Sequence, residues 1–205
     1  MAWSGLLRIG EVIGAVRADL ILPEESAPGI DYILLRIAEP KTRGRGARHQ
    51  AARIEPSDLV LLIAAVFRRH GPSQKLWPLS AQTLRRRFHQ LQTGLGLSTK
   101  AKGGFRPYDL SSLRPGGATH LLNTTEDCTL VHRRGRWLSY KVMTIYLQEI
   151  SVATAGQRLP EDVRTKIQSL NSIFPEVLQT ALRFLEWQIP NTAWFLLFRG
   201  GASAR

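Results

Sequence analysis

The sequence has few of the residues that build disulfide frameworks or metal centres. It contains one cysteine, Cys128, in 205 residues, so an internal disulfide is excluded. A reducing, intracellular setting is expected, nuclear if the source is eukaryotic. The histidines share no metal-binding spacing with cysteines or carboxylates, and the chain has no glycine-rich phosphate loop. We therefore expect neither a metal ion nor a cofactor.

Long hydrophobic runs are also missing. The apolar N-terminus is interrupted by Arg8 and Glu11, which argues against a secretory signal. The late run Ala193–Phe198 is far too short to span a bilayer, so no membrane association is expected. Because 43% of the residues are hydrophobic, the chain can still bury a sizeable core.

Acidic residues are scarce relative to basic ones. The chain has 16 Asp and Glu against 28 Lys and Arg, a net charge of +12. Residues 1–150 hold 22 basic against 12 acidic side chains, whereas residues 151–205 hold 6 against 4. A basic excess concentrated in one region favours a polyanionic partner, and a basic soluble domain without such a partner is the alternative.

The hydrophobic pattern predicts a mainly α protein with a small antiparallel β-sheet, an α+β fold. Apolar residues at three- and four-residue spacing predict helices, and short apolar stretches separated by a turn with proline and glycine predict strands. The predicted helices are Met1–Val16, Asp58–His70, Ala81–Gln92, Asp162–Leu170 and Glu176–Gln188, and the predicted strands are Asp19–Leu22, Asp31–Ala38 and Ala51–Ile54. We expect residues 1–150 to form one domain and residues 151–205 a helical extension.

The stretch Asp109–Glu149 is predicted to form three further short helices. The first is capped by Ser111 or Ser112, the second begins at Thr124 or Thr125 and stops at Gly135, and the third is capped by Ser139 and runs to about Ile150. They place Arg114, Trp137 and Tyr146 on three successive helices. Gly116, Gly117 and Ala118 leave one side of the first helix small enough for close packing around Arg114.

The arginine of this stretch suits phosphate binding, because a guanidinium can bind two phosphate oxygens. These residues also have a structural alternative, in which Arg114 satisfies helix carbonyls while Trp137 and Tyr146 are core residues. Arg8 and Glu11 lie three residues apart, so their side chains can meet on one face of a helix.

Together these segments resemble the catalytic domain of the tyrosine recombinases, the phage-integrase family, in a form similar to that of eukaryotic mobile elements. The resemblance rests on Leu6–Val12, on Lys41-Thr42 in the turn after the second predicted strand, on Arg114, and on Gly135-Arg136-Trp137 with Tyr146 nine residues after Trp137. It implies metal-free cleavage and rejoining of double-stranded DNA.

The resemblance also implies a role for each residue. Arg8 and Arg114 would clamp the phosphate, with Glu11 holding Arg8 in place. Tyr146 would attack to form a 3′-phosphotyrosyl intermediate, Lys41 would protonate the leaving 5′-oxygen, and Trp137 would donate its indole N–H to the phosphate.

Two departures from the family pattern bear on activity. Ser111 stands where the family usually has a histidine, three residues before the second arginine, and serine cannot exchange a proton near neutral pH as imidazole does. The family also has more helix ahead of its first arginine, so an N-terminally truncated form is expected. Two functions stay open: an active recombinase, and a catalytically degenerate DNA-binding module derived from one.

Further basic residues are candidates for contacts with the DNA backbone. Arg43, Arg45 and Arg48 alternate with glycines that let the backbone approach a phosphate closely. Arg85, Arg86 and Arg87 lie on a predicted helix and form either a DNA contact or a solvated face. By resemblance, the helices after Tyr146 could dock on a second copy of the chain and form a homo-oligomer on DNA.

Overall fold

The computed structural model describes residues 1–40, 44, 49–100, 107–190 and 193, and the side chains of residues 150–152 lie outside this description. Within these ranges the strands are β1 (Leu20–Ile21), β2 (Ile33–Ile37) and β3 (Gln50–Ile54), and the helices are α1 (Ile9–Gly14), α2 (Ser57–Phe67), α3 (Ala81–Leu95), α4 (Leu113–Thr125), α5 (Cys128–Gly135), α6 (Tyr140–Thr144), α7 (Glu149–Arg158) and α8 (Glu161–Glu186). The predicted fold class, mainly α with a small antiparallel sheet, is confirmed.

One face of the sheet forms one side of a hydrophobic core. Its strand order is β1-β2-β3 with antiparallel pairing, and Leu35 at its centre lies opposite Leu20 on one side and Ala52 on the other. Alternate residues of β2 are buried, as expected for a strand with one covered face. Val60 and Ile63 of α2 pack on that face.

A second hydrophobic core lies among the helices of the second half. The buried residues are Ala118 of α4, Val131 of α5, Met143 of α6, Trp137 in the connection between α5 and α6, and Leu6 from the N-terminal turn. The adjacent Leu7 is fully buried in the first core instead. Two neighbouring side chains therefore anchor the N-terminal turn to both halves of the molecule, immediately before Arg8.

The predicted helix over Met1–Val16 is wrong for its first half. Only Ile9–Gly14 is α-helical, and the preceding residues form turns in which the amides of Gly5 and Leu7 bond to the carbonyls of Met1 and Ala2. Leu6 has φ 46°, a left-handed backbone that interrupts a helix. The reason is tertiary, because the turn lets Leu6 and Leu7 enter different cores.

The predicted third helix of the central stretch is also too long. Ser139 caps it as predicted, by accepting from the amide of Val142, but α6 ends at Thr144 and α7 begins at Glu149. Tyr146 thus lies in the connection between two helices. The amide of Gln148 donates to the Thr119 hydroxyl at 3.0 Å, which fixes this connection against α4.

Other helix boundaries also differ from the prediction. Thr124 and Thr125 end α4, where their hydroxyls bond back to carbonyls of the preceding turn, and Asp127 caps α5 by accepting from the amide of Leu130. The two predicted C-terminal helices are one, α8, which continues through Pro175.

Helix α8 packs against α2 and α3 through buried residues that include Val163 and Leu178. The same helix also exposes three large apolar side chains, Leu170, Ile173 and Phe174. The division into domains at residue 150 stays a prediction. Among the described residues, no helix combines the length and the apolar character needed to cross a membrane.

Candidate active site: an arginine cluster beside Tyr146

Arg8 and Glu11 meet at the start of α1, as their spacing predicts. Arg8 is the N-cap residue, and its Nη1 donates to Glu11 Oε1 at 2.8 Å. Its backbone N–H donates to Glu11 Oε2, also at 2.8 Å. The Glu11 side chain is 7% exposed, so its charge is held by nearby cations rather than by water.

Arg114 enters the same space from the first turn of α4. Its side chain is 6% exposed, its Nη2 donates to the carbonyl of Gly135, and its Nη1 lies 4.0 Å from Glu11 Oε2. That separation is too long for a hydrogen bond. Among the described residues, Nε and Nη1 of Arg114 have no hydrogen-bond partner. Buried N–H groups of this kind are rare and are ready to bind an acceptor.

Small residues bring α4 and the N-terminal turn this close, as predicted. A Cβ on Gly117 would lie 2.2 Å from the carbonyl oxygen of Trp3, which no real side chain tolerates. A Cβ on Gly135 would lie 1.7 Å from the Trp137 ring. These contacts fix the distances between the turn that carries Arg8, the helix that carries Arg114, and Trp137.

Trp137 and Tyr146 line the side of the cluster next to Arg114. The guanidinium carbon of Arg114 lies 5.0 Å from the centroid of the Trp137 ring and 5.8 Å from that of Tyr146. The two rings are 5.4 Å apart between centroids. Trp137 is buried, and its Nε1 has no hydrogen-bond partner in the part of the chain that the structure describes. Tyr146 is half-buried.

A third arginine, Arg136, completes the cluster. Its Nη2 donates to Glu11 Oε2 at 2.9 Å, and its side chain is 7% exposed. Sequence reasoning missed it, because Gly135-Arg136-Trp137 was interpreted only for its tryptophan. The clearest signal for a role, a left-handed backbone at Arg136, is not visible in the sequence.

The cluster holds more positive than negative charge. Arg8, Arg114 and Arg136 share the single carboxylate of Glu11. Burial, followed by repulsion from Arg8 and Arg136, lowers the pKa of Arg114 to about 10, against the opposing attraction of Glu11 and Tyr146. Burial likewise lowers the pKa of Arg136. An anion bound at Arg114 would relieve this repulsion.

No protein-family model matches this chain, and no curated protein matches its sequence. Among solved structures, the chain is similar to a crystal structure of the XerH site-specific recombinase bound to palindromic difH substrate, in a post-cleavage complex. The TM-score is 0.50 at 17% sequence identity, over 77% of this chain. The fold is that of a tyrosine recombinase. The chain spans about 42% of the length of that recombinase chain.

Within the recombinase fold, Ser111 lies in a short 3₁₀ helix, Leu110–Ser112, just before α4. Its side chain is exposed, and the hydroxyl that satisfies the amide of Asp109 belongs to the neighbouring Ser112. The structure thus brings together Arg8, Glu11, Arg114, Trp137 and Tyr146.

The predicted DNA-contacting arginines of α3 are exposed but not all free. Arg85 donates to Asp109 at 3.0 Å, and Arg87 lies 5.3 Å from the centroid of the Trp77 ring. Arg85 and Arg86 line an open groove of about 780 Å³ together with His89. Lys41, Arg43, Arg45 and Arg48 lie outside the described residues. Elsewhere in the described chain, no three His, Cys, Asp or Glu side chains converge as a metal site would require.

Proposed function

We propose that this chain is a site-specific recombinase or integrase that binds double-stranded DNA and cleaves and rejoins its strands through Tyr146. The observation that supports this most is the position of Tyr146 beside the buried guanidinium of Arg114, in a cluster that carries excess positive charge. Two nitrogens of that guanidinium, Nε and Nη1, have no hydrogen-bond partner among the described residues. A phosphate diester is an anion with two acceptor oxygens, which matches those donors.

In the proposed reaction, Arg8 and Arg114 bind the non-bridging oxygens of one phosphate. The hydroxyl of Tyr146 attacks phosphorus, gives its proton to water, and forms a 3′-phosphotyrosyl bond while the bond to the 5′-oxygen breaks. Lys41 supplies the proton to that oxygen. Rejoining reverses the step, with a 5′-hydroxyl displacing the tyrosine. The arginines stabilise the charge that builds on the phosphate during attack.

The indole N–H of Trp137 is a further donor for this phosphate. It is buried next to Arg114, and its lack of a partner within the described residues suits a hydrogen bond to bound DNA. Glu11 would hold Arg8, to which it is bonded at 2.8 Å.

The second candidate function is a catalytically degenerate DNA-binding module derived from a mobile-element recombinase. Ser111 favours it, because an exposed serine occupies the position where the family has a histidine. Ser111→His tests whether the missing imidazole limits the reaction. If the rest of the site is intact, the variant should form the covalent intermediate faster than the parent chain. An unchanged rate would mean that the missing imidazole does not limit the reaction.

Assembly on DNA is proposed to involve the C-terminal helices of two copies. The exposed Leu170, Ile173 and Phe174 on α8 give an apolar surface on which such contact could form. Sedimentation of the chain with and without duplex DNA tests this. Phe174→Glu should reduce the assembly on DNA and leave the free monomer unchanged, and an unaltered assembly would place the contact elsewhere.

The covalent intermediate tests the enzymatic proposal. The chain is incubated with nicked duplexes that carry a randomised centre, denatured, and examined for protein that remains attached to labelled DNA. Tyr146→Phe removes the nucleophilic oxygen and keeps the ring, so the adduct should vanish while the protein stays folded. Tyr140→Phe is the matched control, since Tyr140 is exposed and stacks on His132 at 4.5 Å. An adduct lost with Tyr140→Phe and kept with Tyr146→Phe would mean that the site is misplaced.

A further inference from the structure

Arg136 occupies a backbone conformation that favours glycine. It is the C-cap residue of α5 with φ 56°, in the left-handed region. Glycine at this position would adopt the same backbone without steric cost. What the arginine adds is therefore its side chain, and the contacts of that side chain indicate what it does.

The guanidinium of Arg136 ties together segments that are far apart in the sequence. Nη1 donates to the carbonyls of Gly5 and Arg134, and Nη2 donates to the carbonyl of Leu6, each at 3.3 Å. Nη2 also donates to Glu11 Oε2 at 2.9 Å. Arg136 thereby fixes the N-terminal turn, and the Arg8–Glu11 pair that follows it, against the corner that leads to Trp137.

The bond to Glu11 also bears on Arg114. Glu11 Oε1 accepts from Nη1 of Arg8, and Oε2 accepts from the backbone N–H of Arg8 and from Nη2 of Arg136, while Arg114 Nη1 stands 4.0 Å from that same Oε2. A shift of about 1 Å would turn this approach into a full hydrogen bond. Without the competition from Arg136, Glu11 would pair with Arg114 and close one of its open N–H groups.

We propose that Arg136 is a positioning residue, which holds Glu11 and the N-terminal turn so that Arg114 keeps its N–H groups open for a phosphate. This inference rests on the proposed function, because it concerns which N–H groups are available at the same phosphate site. Arg136 acts through Glu11 and does not itself touch the phosphate.

The experiment uses nuclear magnetic resonance of the arginine side chains in the full chain, with inorganic phosphate as the probe. The Arg114 Nε–Hε resonance is assigned by its loss in Arg114→Lys. Two quantities are measured: the dissociation constant for phosphate, and the rate of rotation about the Nε–Cζ bond of Arg114, which slows when the guanidinium is held by a carboxylate.

Arg136→Met should raise the dissociation constant for phosphate at Arg114 by about tenfold or more, within the usual range of coupling between sites. It should also slow the rotation of Arg114. Arg136→Gln, which keeps donors for the carbonyls but has no charge for Glu11, should behave like Arg136→Met and serves if the methionine variant does not fold. Arg136→Lys keeps a cation for Glu11 and should recover affinity to within about threefold of the parent.

The matched control is Glu126→Gly. Glu126 is also a left-handed C-cap residue, with φ 53° at the end of α4, but its side chain is exposed. Its substitution should leave phosphate affinity within about twofold of the parent, as for most surface changes. If folded Arg136→Met and Arg136→Gln both keep the parent's phosphate affinity and Arg114 rotation, the proposed role of Arg136 is overturned.

Failure of the proposed function gives a different result. A parent chain whose Arg114 resonance does not respond to phosphate would remove the phosphate site. If Arg114 rotation still slows in Arg136→Met, Arg136 does compete with Arg114 for Glu11, and only the proposed phosphate-binding function fails. If it does not slow, both proposals fail.

Discussion

Replacing Arg114 with methionine should abolish the covalent adduct with DNA and change the free energy of unfolding only slightly. Burial, with repulsion from Arg8 and Arg136, lowers the pKa of Arg114 to about 10, so its charged form is disfavoured in the folded protein. At about 1.4 kcal/mol for each tenfold change in proton binding, the burden is roughly 3 kcal/mol. Methionine removes this burden and has a similar flexible, unbranched stem.

The favourable interactions that Arg114→Met removes are similar in free energy to this burden. The carbonyl of Gly135 loses its donor, which costs about 1–3 kcal/mol, and the cation–π contact with Trp137 contributes about 1 kcal/mol. The free energy of unfolding of Arg114→Met should therefore stay within about 1 kcal/mol of the parent at neutral pH. Because unfolded Arg114 binds more protons than folded Arg114 above about pH 10, the parent should gain stability relative to the variant as pH rises past that value.

Arg17→Met is the control for this prediction. Arg17 is also a buried arginine, but its Nε donates to Phe67 at 2.9 Å, its Nη1 donates to Leu20 at 2.7 Å, and its Nη2 pairs with Glu25. Its loss removes a donor from the carbonyls of Phe67 and Leu20 and should cost about 3–5 kcal/mol, at about 1–3 kcal/mol for each carbonyl. Urea denaturation of the three proteins measures both changes. An Arg114→Met variant destabilised as much as Arg17→Met would refute the view that Arg114 is held in an unsatisfied state.

Two further predictions concern the scaffold. Gly117→Ala should destabilise the fold by about 2 kcal/mol or more, because its Cβ would meet the backbone of Trp3 at 2.2 Å. Gly156→Ala, in open space on α7, is the control and should be neutral or slightly stabilising. Equal thermal stability of the two variants would contradict the close packing at Gly117. The pKa of Glu25 is lowered chiefly by its hydrogen bond from Arg17. The loss in free energy of unfolding in Glu25→Gln should therefore be largest at neutral pH and shrink as pH falls through and below 4.5, the ordinary pKa of glutamate. A loss that does not change with pH would contradict this assignment.

The sheet and most helices could be predicted because their signals are local. β2 alternates buried and outward-facing residues, and Ser80 and Ser139 cap α3 and α6 with their own side chains. These patterns need no knowledge of the rest of the chain.

The errors come from contacts between distant segments. The N-terminal turn could not be predicted, because Leu6 and Leu7 look like one face of a helix until it is known that they enter different cores. The break before Tyr146 depends on a bond from Gln148 to Thr119, which lies 29 residues away.

The candidate site was predictable only in part for the same reason. The residue types and spacing of a known family predict Arg8, Arg114 and Tyr146. Arg136 donates to carbonyls 130 and 131 residues away, and no spacing in the sequence indicates such a contact.

The most direct test of the account is to locate the atom that carries DNA in the covalent adduct. Trypsin cleavage after Lys141 and Arg158 places Tyr146 in the fragment 142–158, and cleavage after Arg136 places Tyr140 in the fragment 137–141. After nuclease digestion, mass spectrometry should find a nucleotide joined through its 3′-phosphate to Tyr146 in fragment 142–158. A nucleotide on fragment 137–141, or an adduct joined through a 5′-phosphate, would contradict the proposed reaction.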